Sequence, residues 1–391
     1  MRNVFGYESV RISGLFMFIY FALGSLYPLL SHYLKSIGMS GTQIGLIVSA
    51  GPIVAIVAQP FWGMLCDKFK LSKQILSGIF LGAMCASLLL PFGHYFLAFV
   101  SLYALLHFFQ SGIVPISDGL ALHYTARTGI EFGRVRQWGA IGFAVATLIA
   151  GLLAEKFSLQ VIFYLYAFAQ LSGFIFLQGV EAEKSVSSVN IFKGLTQLIR
   201  IPRYMLFLLS AFLIFGPINA HNVYFGLLYE KLGGQIAGIG FAFLLFAGSE
   251  APFMKWSGYF IRRLGLERTI FLAGIVSSLR WFWYGNSPSP TAVLIMFFIQ
   301  GLSVGLYLSS AAQFVKENTP DSLRVTALSI YTSMGLGLGS MASNLAGGII
   351  VDRYGILMTY TFFGVLTAAG LIPLAIVTWI ITKKSKLTVL Q

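Results

Sequence analysis

The sequence is poor in charge and poorest in acid. Asp and Glu number 13 against 26 Lys and Arg in 391 residues, and all four charged types together supply 10%. Hydrophobic residues supply 57%, more than a soluble chain of this length can bury, which excludes a water-soluble globular domain. Cysteine is nearly absent. Cys66 and Cys85 fall near or inside apolar runs without metal-ligand spacing, so neither a disulfide framework nor a metal site is expected. There is no HExxH, no Walker A loop and no strand–turn–helix setting for a nucleophile elbow. The chain therefore reads as no enzyme, and the missing Walker A loop excludes ATP-driven transport by this chain alone.

What is present is apolar run after apolar run. About 20 apolar residues cross a bilayer, and twelve such runs can be placed at roughly 9–35, 41–66, 73–92, 95–124, 134–154, 159–179, 203–230, 236–262, 268–285, 290–316, 323–351 and 357–382. The first is too long for a signal-peptide core and is expected to stay as the first helix. The polar stretch "EAEKSVSSVNIFKGLTQLIRIP" divides the runs six and six. This predicts an all-α integral membrane protein, with one six-helix bundle over 1–180, a cytoplasmic linker over 181–202 and a second bundle over 203–391. The formal charge of +13 is topology and does not point to nucleic acid: with both termini on one side, 20 Lys and Arg fall on that side, four on the other and two within spans. That asymmetry predicts cytoplasmic termini in the cell membrane. The bilayer and a small solute are the expected partners, with no nucleic acid and a monomeric chain.

The halves resemble each other. "GMLCDKFKLSK", from Gly63, and "GYFIRRLGLER", from Gly258, both follow the second span of their half. They share a leading glycine, charged positions (Asp67 and Lys68; Arg262 and Arg263) and a final basic residue (Lys73; Arg268). The offset of 195 residues is half the chain, and a weaker echo pairs "AGLLAEKF" with "AGGIIVDRY". Duplicated bundles of this kind are a hallmark of secondary transporters that work by alternating access.

Ionisable residues within spans are expensive and mark function or pairing. Asp118 lies nine residues before Arg127, near the turn of the fourth and fifth spans, and Arg136 lies nine after it. Antiparallel helices joined by a short turn place such positions at equal depth. Glu250 and Arg280 stand fifteen residues either side of Gly265 in the same way, which predicts a second acid–base pair near the membrane centre. Either pair serves as a structural ion pair or as a site, and Arg136 or Arg280 could instead reach a membrane surface. Lys255 is expected to snorkel or to balance Glu250. In the seventh span, "FGPINAHNVYFG" offers Asn219, His221 and Asn222 beside an expected kink at Gly216-Pro217. His221 reads as a proton relay, a solute contact or a packing residue. Tyr20, Tyr27, Trp138, Phe143 and Gln300 are candidate cavity residues. "GLGLGS" and "NLAGG" in the eleventh span predict close helix approach.

These segments carry a family resemblance over essentially the whole chain. "GMLCDKFKLSK" is similar to the loop signature of the major facilitator superfamily: Gly63, Leu65, Asp67, Lys68 and Lys73 match, while Lys70 stands where the signature has glycine. "IEFGRVRQWG" after Asp118, "YFALGSLYPLL", "QPFWGMLCDKFKLSK", "GSE" ending at Glu250 and "LAGIVSSLR" ending at Arg280 look like the lactose permease family of proton symporters. The resemblance implies a twelve-helix fold in two pseudo-symmetric halves. It implies that Asp118 and Arg136 contact solute, that Glu250 binds solute or links it to the proton, and that Arg280 assists coupling. The chain also departs from that family. Gln300 and Ser303 replace the His and Glu of the tenth helix, Phe143 replaces the ring-stacking indole, and the seventh span lacks the buried acids. Galactosides and that family's proton relay are thereby in doubt, and nucleosides or aromatic acids stay in view.

The sequence thus predicts a proton-coupled symporter of a small polar solute, driven by the proton gradient without a cofactor. Substrate contacts are expected from Asp118, Arg136, Phe143, Glu250, Tyr27, Asn219, Asn222 and Gln300. Proton coupling is expected from Glu250, Arg280 and His221, and conformational control from Gly63, Asp67, Lys68, Lys73, Gly258, Arg262 and Arg263. A proton-driven exporter of amphipathic compounds and a non-transporting solute sensor are the alternatives.

Overall fold

A computed structural model describes residues 2–180, 197–320 and 323–389, with side chains throughout except at 2–7, 67, 251, 325 and 379–389. Among the described residues twelve long helices follow one another: α1 Arg2–Ser36, α2 Gly41–Phe69, α3 Ser72–Leu89, α4 Phe96–Thr128, α5 Phe132–Lys156, α6 Val161–Gln178, α7 Pro202–Lys231, α8 Ile236–Leu264, α9 Leu266–Gly285 and α10 Pro290–Asn318. The eleventh, α11, runs Arg324–Thr332, passes through a π-helical stretch at Ser333–Gly339 and continues over Ser340–Tyr354; α12 is Ile356–Val389. Among the described residues ten of these are long and apolar enough to cross a membrane. An eleventh passes if α8, bent by 43° between Glu250 and Pro252, counts as one span. The remaining helix, α9, is long enough but carries Glu267, Arg268 and Arg280.

Local chemistry sets the helix ends. Ser40 and Gln43 form a reciprocal capping box at the start of α2. Ser289 caps α10 ahead of Pro290, whose missing N–H costs nothing in the first turn. Short loops then force neighbouring helices antiparallel.

The chain divides into two compact units, Met1–Val189 with Gly234–Ala247, and Asn190–Gly233 with Gly248–Gln391. The expected linker over 181–202 falls largely outside the described residues, and the first twelve residues of α8 group with the first unit. Within each unit the packing order repeats. α1 packs on α5 and α6, as α7 packs on α11 and α12; α3 packs on α4 and α6, as α9 packs on α10 and α12. The contact of α1 with α5 is backbone-close, since a Cβ on Gly142 would collide with the Met17 carbonyl oxygen. Large aromatics fill what remains, with Phe16, Tyr33, Phe80, Tyr103 and Tyr166 fully buried in the first unit and Tyr224, Trp281, Tyr284 and Tyr360 in the second.

The duplication is also written in the backbone. Gly38 and Gly233, 195 residues apart, both turn at φ +87°. Lys70 and Gly265 share the same offset and both have positive φ, 55° and 87°. Lys70 ends α2 as a left-handed cap, its N–H donating to the Cys66 carbonyl. This is the place where the loop signature has glycine, and the geometry explains why: an L side chain in this region costs roughly 1–2 kcal/mol. Lys70→Gly is therefore expected to raise the apparent melting temperature of the purified protein, by about 0.5–1 kcal/mol after allowing for the extra freedom glycine has in the unfolded chain. Lys70→Ala should leave it near wild type. Equal melting of all three forms would show that the cap is not strained.

Candidate functional site

In the first unit, α4 and α5 bring Asp118 and Arg136 together. Arg136 Nε lies 3.6 Å from Asp118 Oδ1, an ion pair too long for a hydrogen bond, with the side chains 33% and 31% exposed for Arg136 and Asp118. Asp118 Oδ1 accepts no hydrogen bond among the described residues. The guanidinium lies 4.4 Å from the Tyr20 ring centroid and 5.3 Å from that of Phe16. The aromatic faces hold the cation, and the Tyr20 side chain also hydrogen-bonds the guanidinium. Phe143, about two turns further along α5, meets Phe243 edge-on at 6.3 Å. The cluster thus combines an unfilled acceptor, a forked donor and flat apolar rings. Trp138 is 40% exposed and pairs with none of these rings among the described residues.

Tyr27 belongs to a different network. Its hydroxyl accepts from Gln110 Nε2 (2.8 Å) and shares a hydrogen bond with His107 Nε2 (3.3 Å), while Tyr166 donates to Gln110 Oε1 (3.1 Å). His107 and Gln110 were not among the expected site residues. The signal was there: His107, Ser111 and Asp118 recur on one face of α4 at helical spacing.

In the second unit the expected Glu250–Arg280 pair is not formed; among the described residues no ion pair joins them. Nor does Arg280 reach a membrane surface. It is 3% exposed, Nη1 donates to Gln300 Oε1 at 2.6 Å, and the guanidinium lies 4.2 Å from the Trp281 ring centroid and 5.9 Å from that of Tyr284. Glu250 sits at the bend of α8, where α10 crosses at backbone distance: a Cβ on Gly301 would stand 2.7 Å from the Glu250 nitrogen. Lys255 is exposed and does not balance Glu250. His221 is fully buried, shares a 2.8 Å hydrogen bond with the Tyr360 hydroxyl through Nδ1, and is ringed by Phe225, Trp281, Tyr284 and Phe297. Asn219 donates back to the Phe215 carbonyl of its own helix, whereas the buried Asn222 Oδ1 accepts nothing among the described residues. α7 runs without a break through Gly216-Pro217, and Gly216 is a point of close approach: a Cβ there would stand 2.5 Å from the Gly339 carbonyl oxygen of α11.

The run Gly301-Leu302-Ser303-Val304-Gly305 has the spacing of a nucleophile elbow, but it is unbroken helix and the Ser303 hydroxyl donates to the Gln300 carbonyl at 3.1 Å. The sharp turn that exposes an elbow serine is missing. Among the described residues no group of three or more His, Cys, Asp or Glu could hold a metal ion.

The signature segments lie at helix ends. Gly63 and Lys68 are in the last turns of α2, and the Asp67 side chain lies outside the described residues. Lys73 donates to the Gln178 and Val180 carbonyls at 2.8 and 2.7 Å, tying the start of α3 to the end of α6. In the second unit Gly258 is followed by Arg262 and by Arg263, which donates to the Tyr259 hydroxyl at 2.7 Å.

Two duplicated six-helix sets, polar clusters within their spans and basic helix ends define a multi-pass secondary transporter rather than an enzyme. Comparison with known proteins agrees. The family model described as "MFS_1 like family" matches residues 9–362, and the chain belongs to that family of major facilitator superfamily transporters. It is 39% identical over 362 residues to the maltose permease of Geobacillus stearothermophilus, covering 92% of each chain. It is 37% identical to the uncharacterized transporter YwbF of Bacillus subtilis (strain 168), covering 92% of this chain and 90% of that one. The crystal structure of the nucleoside transporter NupG superposes with a TM-score of 0.84 at 16% identity, over 95% of this chain and 99% of that one, and shows the shared fold.

Proposed function

We propose that the protein imports a small neutral polar solute, a disaccharide of the maltose type first, together with protons and by alternating access. The observation that carries this reading is the one-third-exposed Asp118–Arg136 pair over Tyr20, which offers a carboxylate acceptor and a forked donor to sugar hydroxyls. The 39% identity to a maltose permease along nearly the whole chain supports the sugar class. Glu250, placed at the bend of α8, is the proposed proton carrier. The basic excess on one side of the spans supports cytoplasmic termini in the cell membrane, and the two bundles over 1–180 and 203–391 are proposed to work as one monomer.

A ligand that binds only the folded protein raises its apparent stability. Purified protein should accordingly melt higher with maltose than without, and the gain should vanish in Asp118→Asn. Stabilisation by nucleosides or aromatic acids, with no response to any sugar, would overturn the sugar assignment.

A further inference from the structure

We infer that the buried cluster around Arg280 is a binding site for a small anion, a halide or the carboxylate of a solute. Ser277, Arg280, Trp281 and Tyr284 share one face of α9 at helical spacing. All four are buried, with Arg280 at 3% and Trp281 and Tyr284 at 0% exposure. Arg280 spends one N–H on the neutral Gln300 oxygen, and its Nε and Nη2 have no hydrogen-bond partner among the described residues. Trp281 Nε1 is likewise without a partner among the described residues, while the Tyr284 hydroxyl interacts with the guanidinium and Gln300 with His221. Each of these groups is at 0% exposure or nearly so, and they occupy one neighbourhood: the guanidinium lies over the Trp281 and Tyr284 rings and against Gln300, and the His221 ring is 4.7 Å from Trp281 and 5.8 Å from Tyr284.

The balance of this neighbourhood is the argument. It holds one fixed positive charge and a surplus of donors. Guanidinium, indole and amide N–H groups cannot accept in return. No described carboxylate is paired with Arg280, and a buried charge without a counter-charge is strongly unfavourable. A cation would be repelled, and a neutral solute would leave the fixed charge uncompensated. A small anion supplies the missing charge and accepts from several donors at once, and charge-assisted bonds of this kind are the strong ones. The enclosure favours a single atom or a planar carboxylate head over a larger oxyanion. The inference does not depend on which solute the Asp118–Arg136 site takes.

The test is the thermal stability of the purified full-length protein in sodium HEPES, whose bulky anion is too large for the cluster. Sodium chloride and sodium acetate are titrated separately, with and without maltose. Wild type is expected to show a saturable rise in melting temperature with at least one of the two anions. Arg280→Gln should abolish that rise. Gln300→Leu, which keeps the charge but removes one donor, should raise the half-saturating concentration about tenfold or more; if Arg280→Gln fails to fold, this variant decides. A response to chloride alone identifies a halide site, and a response to acetate that chloride competes away identifies a carboxylate site. No saturable response to either anion, or responses unchanged in both variants, overturns the inference. A rise with maltose alone does so while leaving the proposed function standing.

Discussion

Replacing Arg136 by lysine is expected to lower solute affinity about thirtyfold while the protein stays folded. The substitution keeps the charge beside Asp118 but removes the planar fork that lies 4.4 Å from the Tyr20 ring centroid. An ammonium group can sit over a ring or bond a hydroxyl, but it cannot present several donors in a fixed plane while doing both. Losing one charge-assisted hydrogen bond costs about 2 kcal/mol, which is about thirtyfold in the dissociation constant. Solute titration of the purified variant, monitored by melting temperature, measures it directly. Near-normal affinity would reduce the pair to a structural tie between α4 and α5. The 3.6 Å separation and one-third exposure argue against that role, because a tie built for stability is normally closer and better shielded.

The second large effect is expected at Glu250. Glu250→Gln should bind solute and exchange it across the membrane at near wild-type rates, yet lose accumulation driven by a pH gradient. The amide has the shape and neutrality of the protonated acid, so the carrier cycles but no longer moves a proton with each solute. The placement supports this role. Glu250 occupies the bend of α8, with Pro252 two residues on and the α10 glycines Gly301 and Gly305 packed against the same turn. A proline deprives the helix of one backbone hydrogen bond, so this turn is the most readily re-angled part of the span. Full uphill accumulation by Glu250→Gln would move the coupling role to Asp118 or His221. Loss of all binding would make Glu250 a solute ligand first.

The contrast between the two acid–base pairs shows what sequence spacing can and cannot say. Counting residues from a turn gives depth along two helices, and for Asp118 and Arg136 depth sufficed because their shared hairpin is short and regular. The same count for Glu250 and Arg280 misses two quantities. Rotation about the helix axis decides which neighbour a side chain meets, and residue counts from the turn leave it open. The 43° bend between Glu250 and Pro252 also breaks the straight-helix arithmetic from the turn onward. Arg280 instead turns to Gln300 of α10 and to its own aromatic neighbours.

Other features were legible for chemical reasons. Ten or eleven of the helices follow from apolar length, and the charged α9 takes its place from the repeat. The duplication is visible in the charged helix ends, and the backbone repeats it at Gly38 and Gly233 and at Lys70 and Gly265. The Tyr27–His107–Gln110–Tyr166 network was harder to see, because aromatic and amide residues in so aromatic a chain look like ordinary packing until their partners are known. His221 shows the reverse case. A lone histidine in a span reads equally as a relay, a solute contact or a packing residue, and only the surroundings add to that: the ring is enclosed by aromatic side chains and hydrogen-bonds Tyr360.

The central claim, solute import coupled to protons, is tested most directly by uptake of labelled maltose into proteoliposomes holding the wild-type protein. With the lumen more alkaline than the medium, maltose is predicted to accumulate above its external concentration, and a protonophore should collapse that gradient to simple equilibration. Equilibration at the same rate and to the same level with or without the pH gradient would contradict the coupling, and the absence of any protein-dependent maltose entry would contradict the account as a whole.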